Sequence, residues 1–168
     1  MNYYVLYCQT LKAEKVCTRL NRKKGIYSYI PKMEYYFRLK DEIITKVMFP
    51  GYVFIKTELN QLEFDDLLYS LNEERDGIIR ELKKTDVSAL TKDEVTLFKK
   101  LLDDEGILRM SYGYKENGMT VITSGPLIYF ENCIIRTDKR DMIAVLDIKF
   151  FDRYIKAGLF YKQSKQVK

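Results

Sequence analysis

The chain reads as an α+β protein: an N-terminal antiparallel sheet with flanking helices, followed by a small β-barrel. Three observations predict this. Within the first 103 residues, three segments with apolar residues at helical spacing lie between β-rich segments. A Pro-Gly pair at 50–51 sits between two apolar runs, Val47–Phe49 and Tyr52–Ile55. Beyond residue 115 only short strand-like runs remain, separated by turn residues, a spacing that suits a barrel.

Tyr3–Cys8 forms the first strand. Thr10 is placed to cap a helix whose Ala13, Val16, Cys17 and Leu20 recur at i, i+3, i+4, i+7. Arg22-Lys23-Lys24 puts cations at its negative end, and Gly25 takes the C′ role. Ile26–Pro31 and Met33–Lys40 are β-rich and dense in Tyr, Asp41-Glu42 marks a turn, and Ile43–Val47 leads to the Pro-Gly reversal. Proline presets φ and glycine accepts positive φ, so the chain turns sharply there. Strand alternation then sends Tyr52 and Phe54 to one face, Val53 and Ile55 to the other. A strand apolar on both faces is either buried or part of a docking surface.

Asn60 opens a second helix with Phe64, Leu67, Leu68 and Leu71 on one stripe, and Ile78, Ile79 and Leu82 suggest a short strand. Thr91-Lys92-Asp93-Glu94 is a capping box ahead of a third helix bearing Val95, Phe98, Leu101 and Leu102. The order βαβββαβα is a sheet with helices laid on it. Asp103-Asp104-Glu105-Gly106 breaks the pattern. The expected organisation is therefore a first domain at 1–103, a linker at 104–114 and a second module at 115–168. The second module's strands are expected at Met119–Thr123, Asn132–Thr137, Met142–Ile148 and Tyr154–Leu159, with 162–168 as a frayed basic tail.

Composition narrows the function classes. The 168 residues contain no His, which removes the commonest general base and metal ligand. No paired carboxylates, phosphate loop or nucleophile elbow stands out, so neither an enzyme, a metal site nor a cofactor is expected. No apolar run approaches the roughly 20 residues of a membrane span. Three scattered cysteines, Cys8, Cys17 and Cys133, without metal spacing read as reduced thiols of a cytoplasmic protein. The net charge of +5 is uneven: residues 115–168 carry ten Lys and Arg against six Asp and Glu, a net +4. Basicity so placed suits an approach to phosphates, and it is also common on surfaces that bind nothing.

Val47–Ile55, at its distance from Tyr3-Tyr4-Val5-Leu6-Tyr7-Cys8, resembles the N-terminal (NGN) domain of NusG-type transcription elongation factors. Gly118–Pro126 resembles the opening of the KOW motif that follows it in that family. The resemblance implies an NGN-like sheet followed by an SH3-like KOW barrel, and a bacterial elongation factor that binds without chemistry. It implies a monomer that docks the β′ clamp helices of RNA polymerase. Departures from the KOW pattern, where glycines are usual at Tyr129 and near Asn132 and Asp152, suggest a different ligand surface, and the chain, with its opening Leu6-Tyr7-Cys8, resembles the specialised antitermination paralogs LoaP and RfaH. Such a factor is recruited by a leader RNA hairpin or by non-template DNA. Asn and Asp tolerate positive φ and can keep those turns, whereas Tyr129 adds a large exposed ring. The alternatives are a housekeeping NusG that couples to Rho or the ribosome, and a ribosome-associated RNA-binding protein.

Tyr7, Phe49, Pro50 and Tyr52 are the expected polymerase-docking patch, unless the aromatic rings are ordinary core. The nucleic-acid candidates are Arg19, Arg22, Lys23 and Lys24 on or after the first helix, each more simply read as a solvated helix end, then Tyr129, Arg136, Lys139, Arg140, Lys149, Arg153 and Lys156 in the second module, where Lys139-Arg140 reads equally as a solvated turn. Tyr27, Tyr29, Tyr35, Tyr36 and Phe37 either stack on bases or cover a sheet.

Overall fold

The computed structural model describes residues 1–84, 87–88 and 90–161; the basic tail expected at 162–168 lies outside the described residues. In chain order the elements are β1 (Asn2–Cys8), α1 (Ala13–Asn21), β2 (Ile26–Tyr29), β3 (Lys32–Phe37), β4 (Glu42–Val47), β5 (Tyr52–Thr57), α2 (Gln61–Ser70) and β6 (Ile78–Glu81). There follow β7 (Lys83–Lys84), β8 (Val87–Ser88), α3 (Lys92–Leu101), β9 (Ile107–Leu108), β10 (Ser111–Glu116), β11 (Met119–Ser124), β12 (Ile134–Asp138), β13 (Ile143–Phe150) and β14 (Arg153–Tyr161). Contacts divide the chain into two compact units, Met1–Pro31 with Val47–Phe98, and Lys32–Lys46 with Lys99–Lys168. The mixed α+β class is as expected.

In the first unit, four strands run in the order β2-β5-β1-β6. The pleat sends Tyr4, Leu6, Cys8, Val53 and Ile55 to one face, where they pack on Ala13, Val16 and Leu20 of α1 and Phe64 and Leu68 of α2. Tyr4 stacks on Phe64 with ring centroids 4.2 Å apart and donates its hydroxyl to the Leu59 carbonyl at 2.8 Å.

The helix starts follow the sequence at two of three places. The Asn60 side chain accepts the Glu63 N–H at 2.9 Å, and Thr91 and Glu94 form a reciprocal capping box at 3.2 Å each way. The first helix departs from expectation: Thr10–Lys12 is a 3-10 turn, and α1 begins at Ala13 with no side-chain cap. Gln9 stands where the chain leaves β1: its N–H bonds the Gly77 carbonyl at 2.8 Å, and its own carbonyl accepts the Lys12 N–H at 2.9 Å, the i to i+3 bond of a tightened turn. Behind α1, Gly25 has φ +77°, and Asn21 clamps the backbone of Ser28 through both amide atoms.

Phe49-Pro50-Gly51-Tyr52 is a β-turn, closed by the Tyr52 N–H on the Phe49 carbonyl at 3.1 Å with Gly51 at φ +88°. The Gly51 carbonyl accepts the Cys8 N–H at 2.7 Å. A Cβ on Gly51 would lie 2.8 Å from the Cys8 oxygen, so both its conformation and its neighbours require glycine.

In the second unit, five strands run in the order β11-β10-β14-β13-β12. Ile122, Leu127, Phe130, Ala144, Leu146, Ile155, Ala157 and Leu159 are buried there. Strands β3 and β4 belong to this unit, with β9 parallel to β3 through Lys32–Ile107 and Met33–Leu108. Tyr36 meets Phe160 edge-on at 6.1 Å, and a Cβ on Gly158 would lie 2.8 Å from the Glu34 carbonyl. Strand β3 therefore covers β14 at that point.

Residues 104–114 carry β9 and the start of β10. The Asp103 carboxylate accepts the N–H groups of Glu105 and Ile107 at 2.9 Å each, and Arg109 bonds it at 2.5 Å. The acidic run that reads as a spacer is a tight Asx turn. Asn132 is also a correction: it lies in a 3-10 helix, Pro126–Cys133, and β12 begins at Ile134 rather than 132. Asp152 does take positive φ, at +60°, next to Phe151 at +51°.

Candidate functional site

The second face of the β2-β5-β1-β6 sheet is aromatic. Register places Tyr29, Phe54 and Val5 in one row and Tyr52, Tyr7 and Arg80 in the next. Phe49 stacks on Phe54 with centroids 6.2 Å apart, and Phe98 of α3 meets both rings edge-on, at 6.3 Å from Phe49 and 5.4 Å from Phe54. Phe49 is 5% exposed, so of the four residues expected in the docking patch it is part of the core. Tyr7 and Tyr52 are half-buried, with centroids 5.2 Å apart, and Pro50 is exposed. The turn thus brings Tyr7, Pro50 and Tyr52 to one rim, with Phe49 beneath.

Arg80 is a member of this rim that sequence reasoning missed. It is exposed and stands directly opposite Tyr7. The Ile78–Leu82 run signals a strand, but only the register shows which of its side chains shares a face with Tyr7.

Cations on and near α1 are drawn into the first unit's own structure. Arg19 donates to the Asp76 carbonyl at 2.9 Å, Lys23 pairs with Glu74 at 3.0 Å, and Lys12 pairs with Asp76 at 2.9 Å. The Asp76 carboxyl is held below its usual range, first by the Lys12 hydrogen bond. Arg22 and Lys24 are exposed.

The Tyr-rich stretch divides. Tyr27 and Tyr29 lie on β2, with rings 5.7 Å apart, and burial pushes the Tyr29 hydroxyl up to about 12. Tyr35, Tyr36 and Phe37 lie half-buried on β3; the Tyr36 hydroxyl bonds Asp41, and Lys46 sits 4.6 Å over the Tyr35 ring. Tyr27 and Tyr29 belong to the first unit, and Tyr35, Tyr36 and Phe37 to the second.

In the second unit, Tyr129 is 69% exposed on the 3-10 helix. Lys139 and Arg140 occupy the turn after β12, where Asp138 accepts the Asp141 N–H at 3.0 Å. Arg136, Lys149 and Lys156 are exposed on β12, β13 and β14, and Arg153 opens β14 opposite Phe150. Register collects Arg136, Lys149 and Lys156 on one side of the sheet and leaves Tyr129 and Arg153 elsewhere.

Among the described residues, no group of three His, Cys, Asp or Glu side chains could hold a metal ion, and no helix is long and apolar enough to cross a membrane. Burial raises the Cys8 thiol to about 12, which leaves it protonated and unreactive. The arrangement suits binding: an aromatic rim in one unit, a cationic sheet face in the other.

A family model described as "Transcription termination factor nusG" matches residues 1–99. No individual curated protein matches the chain.

Proposed function

The chain belongs to the NusG family, whose members act on transcription with RNA polymerase, and from that premise we propose that it is a specialised elongation factor of the antitermination kind. The Tyr7–Tyr52 pair at the Pro-Gly turn carries the reading. It is an aromatic rim left half-covered on an otherwise packed sheet, inside the part of the chain that the family shares. A helical hairpin tip such as the polymerase β′ clamp helices seats on Tyr7, Pro50 and Tyr52, with Phe49 as the floor beneath and Arg80 at the margin. Large rings contribute contact area at low entropic cost, and an exposed Arg beside them favours an acidic partner.

The second unit is read as a KOW-type SH3-like barrel that recruits the factor through an RNA hairpin. Its support is the resemblance of Gly118–Pro126 to the KOW opening, the net +4 of residues 115–168 and the outward cations of β12, β13 and β14. Arg22 and Lys24 remain available for DNA passing the first unit.

Two measurements test this. In titrations of purified RNA polymerase, Tyr7→Ala and Tyr52→Ala should each lose about 2 kcal/mol, roughly thirtyfold in Kd, while circular dichroism stays unchanged. Folded variants that bind as wild type does would remove the rim from the contact. In transcription reactions with a terminator downstream of a leader hairpin, the factor should raise readthrough only when the hairpin is present. Equal readthrough without it would leave an elongation factor with no RNA recruitment.

A further inference from the structure

We infer that the outer face of β12, β13 and β14 takes the RNA, with its cations on stem phosphates and Tyr154 beneath an unpaired loop base. The inference rests on the reading of the second unit as an RNA-recruiting module and gives that reading a surface.

Strand register builds the face. Arg136 lies opposite Val145, and Val145 opposite Lys156. Directly opposed residues of antiparallel strands share a face, so two cations flank Val145 in one row across three strands. In the next row Lys149 lies opposite Tyr154, with its Nζ 4.9 Å from the ring centroid. Tyr154 is two residues from Lys156 and so projects to the same side. Val145, between Arg136 and Lys156, is 6% exposed, while both cations are exposed.

The face also has limits. Toward Gly158 it is closed by β3, whose Glu34 carbonyl would lie 2.8 Å from a Cβ there. Asp138 lies in that farther row, opposite Ile143, and its carboxylate accepts the Asp141 N–H. Neither of the two open rows contains a carboxylate; Asp147 is exposed in the irregular stretch of β13 between them. Arg153 pairs with Phe150, which is 3% exposed, and so belongs to the opposite side of β14.

The chemistry of this surface selects its ligand. Two rows of cations attract a phosphate backbone. A three-stranded face is broad and shallow, which suits the wide, shallow minor groove of an A-form stem. The major groove of B-DNA instead admits a helix or a two-stranded ribbon. Tyr154, 44% exposed and held by Lys149, presents a ring on which an unpaired base can stack. The combination fits a stem with a loop better than either alone.

The test is fluorescence anisotropy with the full chain at several salt concentrations. The probes are a labelled RNA stem–loop, the same stem as a blunt RNA duplex, and the matching DNA duplex. Joint replacement Arg136→Gln and Lys156→Gln should reduce the slope of log affinity against log salt by about two. Tyr154→Leu should weaken stem–loop binding by about tenfold, leave the slope unchanged and spare the blunt duplex. Lys100→Gln, on α3, should change neither. Should the double variant melt early, Lys156→Gln alone carries the test at about one unit of slope. Wild-type binding with unaltered variants would overturn this face while the recruiting role survives. No binding of wild type to any RNA would overturn both, and tighter binding to the DNA duplex would overturn the RNA assignment.

Discussion

The two faces of the first unit's sheet are made by the same strands, yet they end differently. On the helix face, Leu6, Val53 and Ile55 are at most 1% exposed beneath α1 and α2. On the aromatic face, Phe49 and Phe98 close over Phe54, but Tyr7 and Tyr52 stay half-buried and Arg80 is exposed. Helices laid along the first face cover it through β1 and β5. On the second, Phe49 and Phe98 meet the sheet at Phe54, one row short of Tyr7 and Tyr52. An apolar strand face becomes core or docking surface according to what is laid on it, not according to its own residues.

The largest effect expected from this contrast is on stability. Phe64→Ala on the helix face and Phe49→Ala on the aromatic face should each cost about 3–5 kcal/mol in denaturant unfolding, because both rings are buried. A loss below about 1 kcal/mol for Phe49→Ala would mean that its ring is open to a partner and that the faces are more unequal than described.

Gly51→Ala comes next, at about 1–3 kcal/mol, from positive φ and the close Cys8 oxygen. If unfolding shows no loss, the turn has an alternative path and does not set the rim. Tyr52→Ala should then cost less stability than Phe49→Ala while losing more polymerase affinity. The reverse order in paired melting and binding measurements would make Tyr52 core.

The smallest effect concerns Glu81, which stands opposite Leu6 on the helix face while its neighbour Arg80 stands opposite Tyr7 on the other. Burial raises the Glu81 carboxyl above its usual value, opposed by hydrogen bonds from Gln61 and by Lys83. A carboxyl raised on folding favours the protonated native state. Its contribution is therefore present below the ordinary glutamate range and is lost as pH rises through the folded value. Glu81→Gln should flatten stability against pH above about 4.3, the ordinary glutamate pKa, and cost little at neutral pH. A variant as pH-dependent as wild type in that range would assign the slope to another group.

The helices and most strands up to α3 were legible because each signal is local, but the expected order βαβββαβα has three strands between the first two helices and one before the third, where the structure has four and three. Asn60 and the Thr91–Glu94 box act within one turn of their own backbone, whereas Gly25, expected at C′, lies three residues past the Arg22 C-cap. The Asp103 turn is less legible for the converse reason: an acidic, glycine-containing run satisfies its carboxylate either in water or on its own N–H groups, and the choice depends on Arg109 and on β9 finding β3. Tyr7 and Tyr52 were legible as aromatics near a turn, but Arg80 was not, since nothing in the sequence pairs β6 with β1.

Composition and local pattern by themselves determined an α+β chain without histidine chemistry, the positions of its main helices and strands, and the glycine turn that joins Tyr52 to Phe49. Periodicity and backbone preference are properties of neighbours in sequence, so those features needed nothing more. Register across strands decided the rest: that Phe49 is buried while Tyr7 and Tyr52 form a rim, that β3 and β4 pack with the second unit, and that Arg136 and Lys156 face one way while Arg153 faces the other. Cross-strand pairing joins residues far apart in sequence, and a shift of one residue would reverse every side chain on the strand.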